Sequence, residues 1–550
     1  NGTLYVSQYT GSGNTGKLEL SAPNVTIAVT GRINAGGMGY GSGSGLGGGI
    51  YGGGSGTGAS YGGKGGMNEG AGQSKDVYGS VYEPVDLGSG GGPAYAVSGG
   101  SGGGAIKLTV SGKLTVDGII TGNGNNGQVD ISGDMRDSAG GSGGSLWIVT
   151  DVLDGSGTIS ANGGSDDNRA GGGGGGRIAI YYGSNNFSGS ITANGGMGYQ
   201  AGGAGTIYLK SASQNYGDLL IRNNNVSGAV TDMVDGSYHF DNMEVKDRAT
   251  VNLSTGDTLN SKNLYVQSNG RLTNAGVLDV PGNFVLDSGG VMTQNAGGFG
   301  SGSLVIGNAG TFNLNTKLTL SSLTLKSGGL LTHDQGNATC ELEITGDALI
   351  EAGGRIDLSG KGYGSASGPG AGYYSGGSGS GASYGGKGGI SEATTQVRDV
   401  YGSVSEPVDL GSGGGFAAGT TGGSGGGAIK ITVSGKLTVD GIITGNGDNG
   451  QTNVTAEMRD SGGGSGGSIW IETDVLEGSG TISANGGSDD NRAGGGGGGR
   501  IAIYYDVIDN YWGSVSVFGG IGYVNGQDGT IYLKQSSAGG NTFSLLSLVG

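Results

Sequence analysis

MEVKDRATV (243–251), LYVQSNGRL (264–272), FVLDSGGVM (284–292), LVIGNAGTF (304–312), LTLKSGGLL (323–331) and LEITGDALI (342–350) align without a gap. Their third residues are Val245, Val266, Leu286, Ile306, Leu325 and Ile344, a nearly constant spacing. Two positions earlier runs a second apolar column, Met243, Leu264, Phe284, Leu304, Leu323 and Leu342, and six positions later a third, from Val251 to Ile350. Between them, at plus four, stand only small residues: Ala249, Gly270, Gly290, Gly310, Gly329 and Ala348. Alternation of period two, a small residue at a fixed bend and a further apolar position describe two short strands meeting at a corner. Recurrence at roughly 20 residues is how a solenoid is written, each coil adding one layer to a continuous core. A helix is excluded, because the apolar period is two and Gly or Asn interrupts most windows. The expected class is all-β, a parallel β-helix.

The rest of the chain alternates with that plain pattern. Of 550 residues 138 are Gly, against only 6 Pro and 13% charged residues. That is far above the usual ~7% Gly, without the every-third period of collagen. Four times between positions 31 and 210 a strand ends near N-G or N-A-G-G, a Gly-rich excursion follows, and a Gly tract leads into another strand. Excursions leaving at one corner would stack along one side of the solenoid. Tracts without side chains can lie backbone against backbone as extended strands of polyproline-II or polyglycine-II type, hydrogen-bonded to their neighbours; the competing reading is unordered surface loops.

The whole arrangement is then duplicated. GSGTISANGGSDDNRAGGGGGGRIAIYY stands at 155–182 and again, unchanged, at 478–505, an offset of 323 (478 − 155). The expected organisation is therefore the end of a regular segment (1–30), a Gly-rich module (31–210), a regular segment (211–353), a second Gly-rich module (354–534) and the start of another regular segment (535–550). A chain opening at Asn1 without a signal peptide reads as a mature or excised piece of a longer protein with more copies.

Net charge is 27 − 44 = −17, which disfavours nucleic acid and anionic membrane surfaces as partners. No apolar run approaches the ~20 residues of a membrane span, so no membrane insertion is expected in this segment. The single Cys340 leaves no intrachain disulfide and no Cys-based metal site.

Few residues carry recognisable chemistry. Asp166-Asp167-Asn168-Arg169 and its copy Asp489-Asp490-Asn491-Arg492 are the most charged loops. Their paired carboxylates could hold Ca²⁺, which makes Asp166, Asp167, Asp489 and Asp490 the metal candidates, or act as acid and base on a sugar. Adjacent carboxylates in a Gly-rich loop also describe a solvated turn. Apart from Ca²⁺ no cofactor is expected. The two histidines, His239 and His333, do not recur at the 323 offset, which removes His-based catalysis and zinc as duplicated functions; both read as surface residues. Tyrosines crowd the excursions, Tyr181, Tyr182, Tyr504 and Tyr505 among them. Their rings could stack on sugars or on a neighbouring subunit, or cover and stiffen the Gly tracts.

The LxV columns with their small-residue bend resemble the right-handed parallel β-helices of pectin-lyase-like proteins and autotransporter passengers. The GSGTISANGG and GGGGGRIAIYY blocks are similar to those of very large Gly-rich secreted repeat proteins of bacteria. The resemblance implies a secreted or cell-surface location and a structural, adhesive role rather than an enzyme: a stiff rod or filament segment whose copies associate head to tail or laterally. A glycan-binding adhesin and a polysaccharide-active enzyme are the alternatives that the same resemblance admits.

Overall fold

The computed structural model describes residues 2–536 apart from 12, 14, 71, 96, 129–135, 167–168, 234–235, 339, 375–376, 453–458 and 490–491. Asp167, Asp490 and the expected regular segment beyond position 536 lie outside the described residues. Among the described residues there is no helix, and the chain is all-β with long, mostly parallel sheets. It forms two compact units, Asn1–Val280 with Gly289–Val291, and Pro281–Ser288 with Met292 onward.

In the first unit, Thr3–Tyr5, Arg32–Asn34, Ile119–Thr121, Thr158–Ser160 and Ser190–Thr192 make one parallel sheet. Its register stacks Leu4, Ile33, Ile120, Ile159 and Ile191. Lys17–Ala22, Ala105–Val116, Ser145–Asp154, Arg177–Asn185 and Thr206–Ser211 pair in parallel as well, stacking Leu18, Ile106, Leu146, Ile178 and Ile207. Apart from the exposed Leu4, these stacked residues belong to or pack against one apolar core. These paired strands open at Lys17, Ala105, Ser145, Arg177 and Thr206, so the chain between one layer and the next is long at first and then shortens. The stacking is therefore regular while the connections vary freely in length, and the Gly-rich excursions fill them. Asp218–Arg222 runs antiparallel to Thr206–Ser211 before the plain repeats begin, and Tyr51–Gly52 pairs antiparallel with Ser55–Gly56 inside an excursion.

Those repeats pair in the expected register, Met243 on Leu264 and Val251 on Leu272, and in the second unit Leu304 on Leu323 and Phe312 on Leu331. Every residue of the three columns is at most 2% exposed. The small residue at plus four has a steric cause. A Cβ on Gly270, Gly310 or Gly329 would meet the carbonyl of Val245, Leu286 or Ile306 in the preceding layer. The corner itself is made by two left-handed residues just before it, Asp247-Arg248, Ser268-Asn269 and Asn308-Ala309, all with positive φ. Asn, Asp and Ser are tolerated there because their short polar side chains relieve the left-handed conformation locally.

The sixth segment departs from the alignment. Leu342 and Ile344 pair with Leu318 and Leu320, while Leu323 and Leu325 take Ala348 and Ile350. Strand Lys317–Leu325 carries two inward doublets, and the longer connection before Glu341 lets LEI cover the first and ALI the second. Gap-free alignment could not see this, since either doublet satisfies the same apolar pattern.

The second unit repeats the Gly-rich architecture. Ala428–Val439, Ser468–Gly478 and Arg500–Tyr511 stand at the duplication offset from Ala105–Val116, Ser145–Asp154 and Arg177–Asn185, and pair with one another in the same order.

Candidate functional site

The duplicated feature with the most demanding geometry is the tract Gly171–Gly176. Its amides point in three directions in turn. Gly171 and Gly174 donate to Gly56 and Ala59, Gly172 and Gly175 to Gln200 and Gly203, and Gly173 and Gly176 to Gly164 and Ala161, at 2.7–3.1 Å. Its carbonyls follow the same period, accepting from Gly140 and Gly143, from Gly66 and Gly62–Gly63, and from Gly196 and Thr206. A three-residue period with no internal hydrogen bond defines an extended threefold helix, in which every backbone group must find a partner on a neighbouring strand. The tract is buried throughout. A Cβ on any of its six residues would collide with a neighbour's backbone, such as the carbonyls of Gly66, Gly196, Gly141 and Gly63. Only glycine fits. Gly494–Gly499 reproduces the pattern, donating to Gly379, Val524, Gly487, Ala382, Gln527 and Ala484.

The next residue closes this lattice. Arg177 is 2% exposed and Arg500 4%. Arg177 Nε donates to the Tyr78 carbonyl at 2.9 Å and Nη1 to Thr206 Oγ1 at 3.2 Å, with the guanidinium 5.6 Å from the Tyr61 ring centroid. Arg500 repeats this with Tyr401, Thr530 and Tyr384. Tyr61 shares a 2.6 Å hydrogen bond with Ser145 Oγ, which in turn donates to the Asp86 carbonyl. Burial lowers both arginines from their ordinary value and drives the Tyr61 phenol well above its own. The six-glycine run gave no hint of this seam. The signal available was ASYGGKGG, at 59–66 and again at 382–389, together with an Arg after each tract.

Asp166 spends its carboxylate on its own loop, Oδ2 accepting from the amides of Arg169 at 3.2 Å and Ala170 at 2.9 Å. Asp489 does the same with Arg492 and Ala493. Among the described residues no group of three His, Cys, Asp or Glu is arranged to hold a metal. Tyr181 donates to the Tyr82 carbonyl and meets the Tyr208 ring at 5.7 Å; Tyr504 donates to the Ser405 carbonyl and meets Tyr532 at 5.7 Å. Tyr182 and Tyr505 lie beside them, partly buried. Tyr61 and Tyr384 are fully buried. Tyr51, Tyr199 and Tyr523 remain exposed.

His333 is not a surface residue, whereas His239 is partly exposed. His333 has no exposed area and bonds through Nδ1 to the Asp334 carbonyl at 2.7 Å, and His239 is half-buried against Tyr216. The turn-rich sequence around His333 concealed that the side chain points into the core. Cys340 is buried, and burial raises its thiol.

No family model, curated protein or solved structure matches the chain.

The arrangement offers backbone cross-bonding in several directions and buried aromatic and guanidinium seams. Its chemistry is cohesive.

Proposed function

We propose that the chain is a parallel β-helix whose Gly-rich excursions stack beside it as polyglycine-II-like layers, and that it serves as a structural segment of a large extracellular repeat protein. The observation that carries this reading is the tract Gly171–Gly176, hydrogen-bonded to neighbours on all sides and copied at Gly494–Gly499. A layer held by cross-bonds in several directions resists shear in more than one direction, which a single sheet does not. The parallel registers and the variable connection lengths support the solenoid; the acidic balance suits a long, soluble, secreted or cell-surface protein that associates with further copies.

Electron microscopy of the chain at high concentration tests the role. Filaments with an axial repeat of a whole number of ~4.8 Å layers are expected. Discrete particles that never associate and that retain or cleave an acidic glycan would replace the structural reading with a binding or enzymatic one.

A further inference from the structure

The two Gly-rich modules are nearly the same in sequence, so positions where they differ in chemical kind are informative. One corner differs at four positions together. In the first copy, where the segment 1–30 meets the Gly-rich module, it is built from Val6, Asn34, Met38 and Asn125, none of which titrates. The second has His333, Asp357, Lys361 and Asp448 in their places. The last three follow from the 323 offset, and His333 from the register, since Leu4 pairs with Ile33 as Leu331 pairs with Ile356. Much of the local bonding is shared, although Val6 donates to the Asn34 carbonyl where Thr332 Oγ1 donates to the Asp357 carbonyl. Tyr9 donates to the Met38 carbonyl and Gly336 to the Lys361 carbonyl; Gly37 donates to Asn123 and Gly360 to Asn446.

In this frame His333 occupies a site made for an apolar side chain. Val6 is 3% exposed there, and His333 0%. Its Nε2 is buried with no hydrogen-bond partner. A Cβ on Gly427 would meet both this nitrogen and the Lys361 Cβ, so the imidazole edge and the Lys361 stem both lie against the backbone that leads into Ala428–Val439. The titratable and charged groups around the ring are Lys361 beside it, Asp334 next in chain, and Asp357 and Asp448, which influence each other across the same corner.

We propose that this corner of the second module is an acid-sensitive latch, closed while His333 is neutral and opened when it takes a proton. A protonated ring would place a cation without an acceptor at Nε2 against the Lys361 cation. Asp448, whose carboxyl burial and the Asp357 charge hold above its ordinary value, takes its own proton more readily in the fold, so its titration does not contribute to opening. Burial, helped by Lys361, outweighs the Asp334 carbonyl and charge that favour the proton and holds His333 below its ordinary value of 6.5 in the fold, so the unfolded or opened corner binds the proton first. Stability is then complete above that ordinary value and is lost as pH falls from there through the folded value. The first module lacks all four groups and stays shut, which confines opening to the turn that follows His333 and the re-entry at Gly427.

Hydrogen exchange of the full chain between pH 7 and 5, corrected for intrinsic rates, tests this. Peptides covering 330–361 and 427–433 are expected to lose protection by at least about tenfold relative to their counterparts at 3–38 and 104–110. The double variant His333→Val with Lys361→Met installs the first module's own residues and should abolish the difference. Equal acid response in both corners, or a response that survives the double variant, overturns the proposal. Neither result bears on whether the chain is structural, since filament formation is read separately at neutral pH.

Discussion

Replacing Gly174 by Ala should be among the most damaging single-methyl changes in the first unit. The new Cβ would lie against the Gly63 carbonyl group and 3.0 Å from the Lys64 oxygen, all backbone and unable to rotate away. Relief requires moving the tract from its neighbours, which loosens the bond from Gly174 to Ala59 at 2.8 Å and that from Gly143 to Gly174 at 2.9 Å. Overpacking in a dense interior costs about 1–3 kcal/mol, and each of the two loosened backbone bonds about 1–3 kcal/mol more, so the sum is roughly 3–9 kcal/mol. In a stacked architecture that loss is local. The readout is therefore hydrogen exchange of peptides spanning 56–66, 140–144 and 171–176, expected to speed up by about a hundredfold or more. Gly41→Ala is the control, because no heavy atom lies within 4 Å of its Cβ and its φ is not left-handed. There the change should be neutral or stabilise by up to about 1 kcal/mol through the unfolded chain. Exchange in Gly174→Ala indistinguishable from Gly41→Ala would refute the lattice argument.

Arg177→Lys should destabilise the first module by roughly 2–4 kcal/mol in local exchange, because one ammonium cannot reach both the Tyr78 carbonyl and Thr206 from a buried position. Asp166→Ala should cost about 1–2 kcal/mol by removing the acceptor of two loop amides, with Asp166→Asn largely preserving stability, as measured by thermal unfolding. A chelator effect equal to that loss would instead favour Ca²⁺ there. Burial pushes the Tyr181 and Tyr384 phenols up to about 12, against 10.0 ordinarily. A folded value above the unfolded one is stability held at neutral pH and lost as pH rises past about 10, so ultraviolet titration should show these phenols ionising only with alkaline unfolding. Independent ionisation near 10 in the intact fold would contradict their burial.

The lattice was only partly legible in sequence. That Gly tracts can cross-bond follows from missing side chains, and so does the alternative of loose loops. The choice between them depends on whether six neighbouring stretches arrive within hydrogen-bonding reach, and those stretches come from positions as far apart as Gly56 and Thr206. No local pattern encodes that.

Sequence alone determined the strand character, the recurring apolar pattern, the inward columns and the duplication, because each rests on short-range alternation, on side-chain size at a bend or on plain identity between two stretches. Tertiary structure alone decided the shift of LEI and ALI to different partners, since both doublets satisfy the same apolar rule and only the length of the connection before Glu341 separates them. It also decided that Arg177 and His333 are interior. Polarity argues for the surface, but a guanidinium given a carbonyl, a hydroxyl and an aromatic face can be buried, and an imidazole can occupy a valine's place while it stays neutral.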